Sequence, residues 1–170
     1  MSTAKVLPSY GFGDGAVTVE TFGTGLINST WKVCGPEEDF ILQRVNNSVF
    51  TIPTDIAHNT KLIADYLKKQ NPSYRFIAPI AASNGDYMIC LNPEGFFRMF
   101  PFVKGSHTID VVETPGQAFE AATQFGRFTK LLAHFDVHQL KTTITSFHDL
   151  GLRYRQFLTA LANGNKERIE

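Results

Sequence analysis

The hydrophobic period of this chain changes once, close to residue 104, and that change constrains the fold more than any single motif. Up to Val103, short apolar and β-branched runs alternate with Gly, Asn, Asp and Pro, the punctuation of strands and turns. Beyond it, apolar residues return every three or four positions, as on one face of a helix. Strands gathered first and helices after describe an α+β chain with an antiparallel sheet, whereas a parallel sheet would need helices between its strands.

Val17–Thr21 and Ser29–Cys34 read as strands joined by Phe22–Asn28, a loop that holds Gly23 and Gly25. Gly35–Asp39 is a polar turn, and Phe40–Val45 is the third strand. Thr54 then reads as an N-cap, with Ile56, Asn59/Thr60, Ile63 and Tyr66/Leu67 at helical spacing. Lys68 and Lys69 suit the C-terminal end, so a helix is predicted over Thr54–Lys69. Ile77–Ala82 and Tyr87–Leu91 flank Ser83-Asn84-Gly85-Asp86, whose Asn-Gly pair signals a hairpin, and Gly95–Val103 is the last strand. The plan is a five-stranded antiparallel sheet with one intervening helix.

Two helices follow. Thr114-Pro115-Gly116-Gln117 carries the pattern of a capping box, and Phe119, Ala122, Phe125, Phe128, Leu132 and Phe135 mark one face of a helix over Pro115–Phe135. Ser146 with Asp149 opens a second helix over Phe147–Leu161, with Leu150, Tyr154, Phe157 and Leu161 on its apolar side.

Charge excludes one broad class. Lys plus Arg and Asp plus Glu both number 16, so the net charge is zero and no basic excess serves a nucleic acid. No stretch approaches the roughly 18 apolar residues of a spanning helix, and no apolar run follows a positive start as in a signal peptide. Met1–Gly15, with Gly11-Phe12-Gly13-Asp14-Gly15, reads as a flexible lead-in. Cys34 and Cys90 lack metal-type spacing and read as reduced, buried thiols of a cytoplasmic protein.

The loop Thr21-Phe22-Gly23-Thr24-Gly25-Leu26-Ile27-Asn28 is the informative one, because glycines let backbone N–H groups approach an anion closely. It leads into a strand, which excludes a Rossmann fingerprint, and no Gly-Lys-Ser/Thr follows, which excludes a P-loop. An ordinary glycine turn is the competing reading. Strand, Gly loop, strand, turn, strand and helix is also the opening order of a protein-kinase-like lobe, in which the third strand presents a cation to the phosphates. Here that strand reads Ile41-Leu42-Gln43-Arg44. Gln43 holds the usual Lys position, and strand alternation puts Arg44 on the opposite face, so Arg44 is either phosphate-directed or a solvated charge.

Taken together, Gly23-x-Gly25-x-Ile27-Asn28-x-Thr30, Ile41-Leu42-Gln43-Arg44-x-Asn46-x-x-Val49-Phe50 and Asn59 resemble the N-acetylhexosamine 1-kinase branch of the aminoglycoside phosphotransferase/choline kinase superfamily. Phe97–Phe102 with Gly105-Ser106, then Gly126-x-Phe128, then Phe147-His148-Asp149 with Arg153, continue the likeness, which runs from about Gly23 to Arg168. The resemblance implies a kinase-like N-lobe over 1–103, and a hinge with the first helices of an incomplete C-lobe over 104–170. It implies transfer of phosphate from ATP, with Mg, to a sugar hydroxyl. Gly23, Thr24, Gly25, Asn28, Gln43 and Arg44 would lie about the phosphates, and the backbone at Phe100 and Phe102 would meet the purine.

The family's base and metal carboxylates come from a His-x-Asp motif with a downstream Asn and from a later Asp-rich motif. Neither motif is read in this sequence, so the chain alone is expected to be inactive. The five histidines offer no substitute: His134 and His138 have metal-ligand spacing but straddle a predicted helix end, and no Gly-x-Ser-x-Gly accompanies His148-Asp149. A non-catalytic nucleotide- or partner-binding module and a ligand-free structural module are the other readings. The apolar helical faces suggest a homodimer through the C-terminal helices; no membrane or nucleic-acid partner is expected.

Overall fold

Alternation of side chains across the pleat decides the architecture. In the computed structural model, which describes residues 2–13 and 15–164, β1 (Thr18–Thr21), β2 (Ser29–Cys34), β3 (Asp39–Val45), β4 (Ile89–Leu91) and β5 (Gly95–Pro101) form one sheet. The order is β1-β2-β3-β5-β4 and every pairing is antiparallel, as the sequence predicts. Asp14 and the C-terminal limit of the resemblance at Arg168 lie outside the described residues.

One face of this sheet is the core. Val33, Phe40, Leu42, Phe97 and Met99 are buried together, each in register with an apolar neighbour on the adjoining strand. What covers them corrects the expectation of a flexible lead-in. Residues Ser2–Val6 form helix α1, Leu7–Tyr10 continue as a 3-10 turn, and Val6 and Leu7 insert into the core. Phe12 meets Phe40 edge-on at 5.4 Å, and the Ser83 amide donates to the Ser9 carbonyl at 2.8 Å. Lys5 adds an ion pair with Glu94.

The opposite face carries Thr30 and Lys32 of β2, Gln43 of β3, and Arg98 and Phe100 of β5. Helix α2 (Pro53–Gln70) follows β3. Its cap is Ile52, without a side-chain hydrogen bond, and Pro53 takes the first helical position; Thr54 therefore sits inside the first turn and is not the cap. Ile77–Ala82 is not a strand. It contributes one ladder-like bond, from the Ile80 amide to the Met99 carbonyl at 2.8 Å, beyond the stretch of β5 that β4 covers. The Asn84-Gly85 turn does form, with Gly85 at φ 86° and its amide on the Ala82 carbonyl.

Helix α3 (Pro115–Leu131) starts at the predicted capping box and ends one turn early. Helix α4 (Leu150–Asn163) is capped by Asp149, whose side chain accepts from the Leu152 amide; Ser146, with φ 54°, stands outside it. Neither helix buries a residue completely. The segment after α3 docks on α2 through Tyr66 and Phe135, with ring centroids 5.2 Å apart, while Phe76 stacks on Phe128 of α3. Both cysteines are free, but Cys34 is half-buried and Cys90 exposed, since β4 is an edge strand. Among the described residues no helix is long and apolar enough to cross a membrane.

Candidate nucleotide site

The glycine loop springs from a closed neck, where the Phe22 amide donates to the Thr30 carbonyl at 3.0 Å. Gly23 has φ +77°, a conformation that favours glycine, and a Cβ at Gly23 or Gly25 would meet nothing within 4 Å. The loop therefore borders open space, a cavity of about 350 Å³. Two side chains hold its ends. Asn28 Oδ1 accepts from the Asn46 amide at 3.0 Å, which ties the loop to the exit of β3, and Thr24 Oγ1 donates to Asp110 Oδ1 at 3.3 Å.

Below the neck, register places Thr30, Gln43 and Arg98 side by side on three strands. Gln43 Nε2 donates to Thr30 Oγ1 at 3.4 Å. Its Oε1 accepts from Arg98 Nε at 3.0 Å and Nη2 at 2.6 Å. Arg98 also lies 5.1 Å from the centre of the Phe100 ring. Burial pulls its pKa down, and among the described residues no carboxylate pairs with it. Arg98 is the cation that sequence reasoning passed over; Gln43 and Arg98 share a face only through the register of β3 on β5.

Arg44 lies on the other face of β3, exposed, beside Asn47 and Glu94 at a cavity of about 300 Å³. Gln43 reaches the loop through Thr30 at its neck, whereas Arg44, across the sheet, shares its cavity with Ile27 and Ser29 where the loop enters β2.

At the end of β5, Phe97 alone of the Phe96–Phe102 aromatics is fully buried; Phe96, Phe100 and Phe102 are half-buried. The Phe102 ring meets Phe22 at 5.9 Å and carries Lys32 Nζ 4.5 Å above its centre. Lys32 is paired with Asp39 at 2.9 Å, and that hydrogen bond raises the lysine pKa. The Phe102 amide donates to the Asp39 carbonyl at 2.9 Å. Antiparallel alternation then makes Ile41 and Phe100 the next hydrogen-bonded pair. The same alternation turns the Pro101 carbonyl outward, on the edge where Met99 accepts from Ile80.

The histidines lie elsewhere. His58 Nε2 meets the Gln139 carbonyl at 3.1 Å, against the docked segment and away from the loop. His134-Phe135-Asp136 spells a His-x-Asp, but Asp136 caps the 3-10 turn Val137–Gln139 by accepting from the His138 amide at 3.1 Å. Among the described residues no three His, Cys, Asp or Glu side chains converge as a metal site would need.

An antiparallel five-stranded sheet with a glycine loop between its first two strands, one helix after the third and further helices beyond is the kinase-like N-lobe fold. Among solved structures the chain is similar to a spectinomycin phosphotransferase in complex with ADP and spectinomycin (TM-score 0.58, 14% identity, 94% of this chain and 45% of that one). It is similar to a microcompartment-associated aminopropanol kinase (TM-score 0.61, 16% identity, 91% and 47%). An amicoumacin kinase in complex with AMP-PNP, Ca2+ and Ami aligns with TM-score 0.60 at 17% identity, over 98% and 54%. The chain spans about half the length of these structures. No protein-family profile matches it.

Proposed function

We propose that this chain is the nucleotide-binding N-terminal portion of an ATP-dependent small-molecule phosphotransferase of the aminoglycoside phosphotransferase superfamily, with a sugar of the N-acetylhexosamine kind as acceptor. The observation that carries the reading is the open glycine loop, set in a kinase-like N-lobe above a row of hydrogen-bonding side chains. Two of the similar structures hold adenine nucleotides. The sugar acceptor rests on the resemblance in the sequence.

In this reading the amides of Gly23, Thr24 and Gly25 lie along phosphate oxygens, with Asn28 fixing the far end of the loop. Gln43 lies beneath them. The purine lies against Phe22, Phe100 and Phe102, and its edge meets the outward Pro101 carbonyl and the Val103 amide, because the Phe102 amide is committed to Asp39. In this reading none of these residues is a Mg ligand, since the resemblance assigns the metal carboxylates to the family's later motifs. Residues 1–103 carry the nucleotide, and 104–170 lead toward the acceptor side.

Calorimetric titration with ATP, ADP and GTP tests this. One-walled binding predicts a Kd of roughly hundreds of micromolar or weaker. Residues 1–170 alone should consume no ATP when N-acetylhexosamine is added, since positioning and charge stabilisation of the transferred group need carboxylates absent from the site. A chain that binds none of the nucleotides at millimolar concentration refutes the proposal; turnover that survives repurification places the catalytic groups within 1–170.

A second reading, favoured by the exposed Phe119, Phe125 and Leu150, is a non-catalytic partner-binding module or a homodimer joined through α3 and α4.

A further inference from the structure

Arg98 is held as a ligand-binding arginine would be, with three of its five N–H donors in reserve. A guanidinium has five N–H donors and no acceptor. Two of those of Arg98 converge on Gln43 Oε1, and Nη1 donates to nothing among the described residues. Gln43 orients the group without neutralising it, because its oxygen carries no formal charge. Arg98, which can only donate, requires the oxygen end of the Gln43 amide to face it, and the Thr30 hydroxyl accepts from the other end. Burial without a carboxylate partner leaves this positive charge costly until an anion arrives.

Position narrows the choice of anion. Neighbouring strands lie roughly 4.8 Å apart, so Arg98 starts two strand spacings from the neck of the glycine loop, and its side chain reaches back across β3 to Gln43. The other cations of the sheet are unsuited. Lys32, opposite Ile41 in the next row, is occupied by Asp39, and Arg44 is on the far face. Arg98 is thus the one cation on this face without an acidic partner among the described residues.

We propose that Arg98, positioned by Gln43, supplies the cation that receives the nucleotide phosphates beneath the glycine loop, in place of a charged residue on β3. The inference rests on the nucleotide-binding reading and adds a specific residue to it. A planar fork suits a phosphate because parallel N–H groups can meet two of its oxygens.

The experiment follows the ¹H–¹⁵Nε resonance of Arg98 in the unaltered chain, assigned by its loss in Arg98→Lys, while ATP, inorganic triphosphate or adenosine is added. ATP and triphosphate should shift it, and adenosine should not. By calorimetry Arg98→Met should weaken ATP binding about 10-fold or more. Arg98→Lys, which keeps the charge and loses the fork, should fall between the two. Lys69→Met, an exposed charge on α2, controls for general electrostatics and should match the unaltered chain. Should Arg98→Met fail to fold, the resonance decides. A static resonance during saturable ATP binding, or ATP affinity unchanged in folded Arg98→Met, overturns the role of Arg98 and leaves the nucleotide reading standing. No ATP binding by the unaltered chain overturns both.

Discussion

Asn59 and the backbone of Lys141 hold each other reciprocally: Asn59 Nδ2 donates to the Lys141 carbonyl at 2.8 Å, and the Lys141 amide donates to Asn59 Oδ1 at 2.9 Å. This pairing joins α2 to the segment after α3, and Asp55 reinforces it by accepting from Lys141 Nζ at 3.0 Å. Only a side-chain amide offers both a donor and an acceptor in that geometry. Asn59→Ala should therefore expose the Lys141 amide to exchange, leave the Lys141 carbonyl without its donor and cost about 0.5–1.5 kcal/mol. Asn59→Asp keeps the acceptor and should retain part of the Lys141 amide protection. Hydrogen exchange at Lys141 reads the result, and full protection in Asn59→Ala would refute the link.

Val6 tests whether the N-terminal segment belongs to the fold. Its side chain is fully buried between the sheet and the 3-10 turn. Val6→Ala should destabilise the chain by roughly 2 kcal/mol in denaturant unfolding, through lost burial and a residual cavity. Lys5→Ala, which removes an exposed ion pair with Glu94, should move the midpoint far less. Equal effects from the two would show that α1 is not core.

The contrast between these residues shows what the sequence could and could not convey. Strands β2, β3 and β5 were legible because they are β-branched and aromatic runs bounded by Gly, Asn, Asp and Pro, and such punctuation is a local property. The box at Thr114 and Gln117 was legible for the same reason. Helix α1 was not, since Ser2–Val6 is too short to declare a period and forms by burying Val6 against strands distant in sequence. Thr54 misled because a good capping residue and a Pro at the first helical position compete for one helix start. At the site, the glycine loop and Gln43 were readable. Arg98 was hidden in a phenylalanine-rich strand, although the same alternation that sets Gln43 apart from Leu42 sets Arg98 apart from Phe97 and Met99.

Tyr10 predicts an alkaline weakness. Its hydroxyl is buried without a well-formed hydrogen bond; desolvation pushes its pKa from 10.0 up to about 12, and the nearby Met99 backbone offsets only part of this. A raised folded pKa means that the unfolded chain releases the proton first. Stability is therefore fully kept below pH 10 and falls as pH rises toward 12. The loss should be about 1–2 kcal/mol after discounting partial exposure. Tyr10→Phe should flatten that decline without lowering stability at neutral pH. Urea unfolding near pH 9 and near pH 11, on both proteins, checks it. An identical slope in Tyr10→Phe would assign the alkaline loss to other groups.

The last prediction concerns α3 and α4. The sequence left two ways to cover their apolar faces: folding back on the sheet, or pairing with another chain. The structure shows little folding back, for Phe119 is 72% exposed, Phe125 74% and Leu150 81%, while Tyr154 and Phe157 are more than half exposed. Covering such surface gains roughly 25 cal/mol per Å², so several hundred Å² of it favours association by several kcal/mol before the cost of ordering two chains. A net charge of zero adds little repulsion against pairing. Sedimentation at micromolar concentration should accordingly give a mass above 19.0 kDa that falls on dilution. Phe119→Glu with Phe125→Glu should restore the monomer, because a carboxylate on each of two exposed positions opposes burial of α3 without touching the core. An unaltered chain that sediments as a monomer across that range would show that exposure of these faces is tolerated, and would remove the homodimer from consideration.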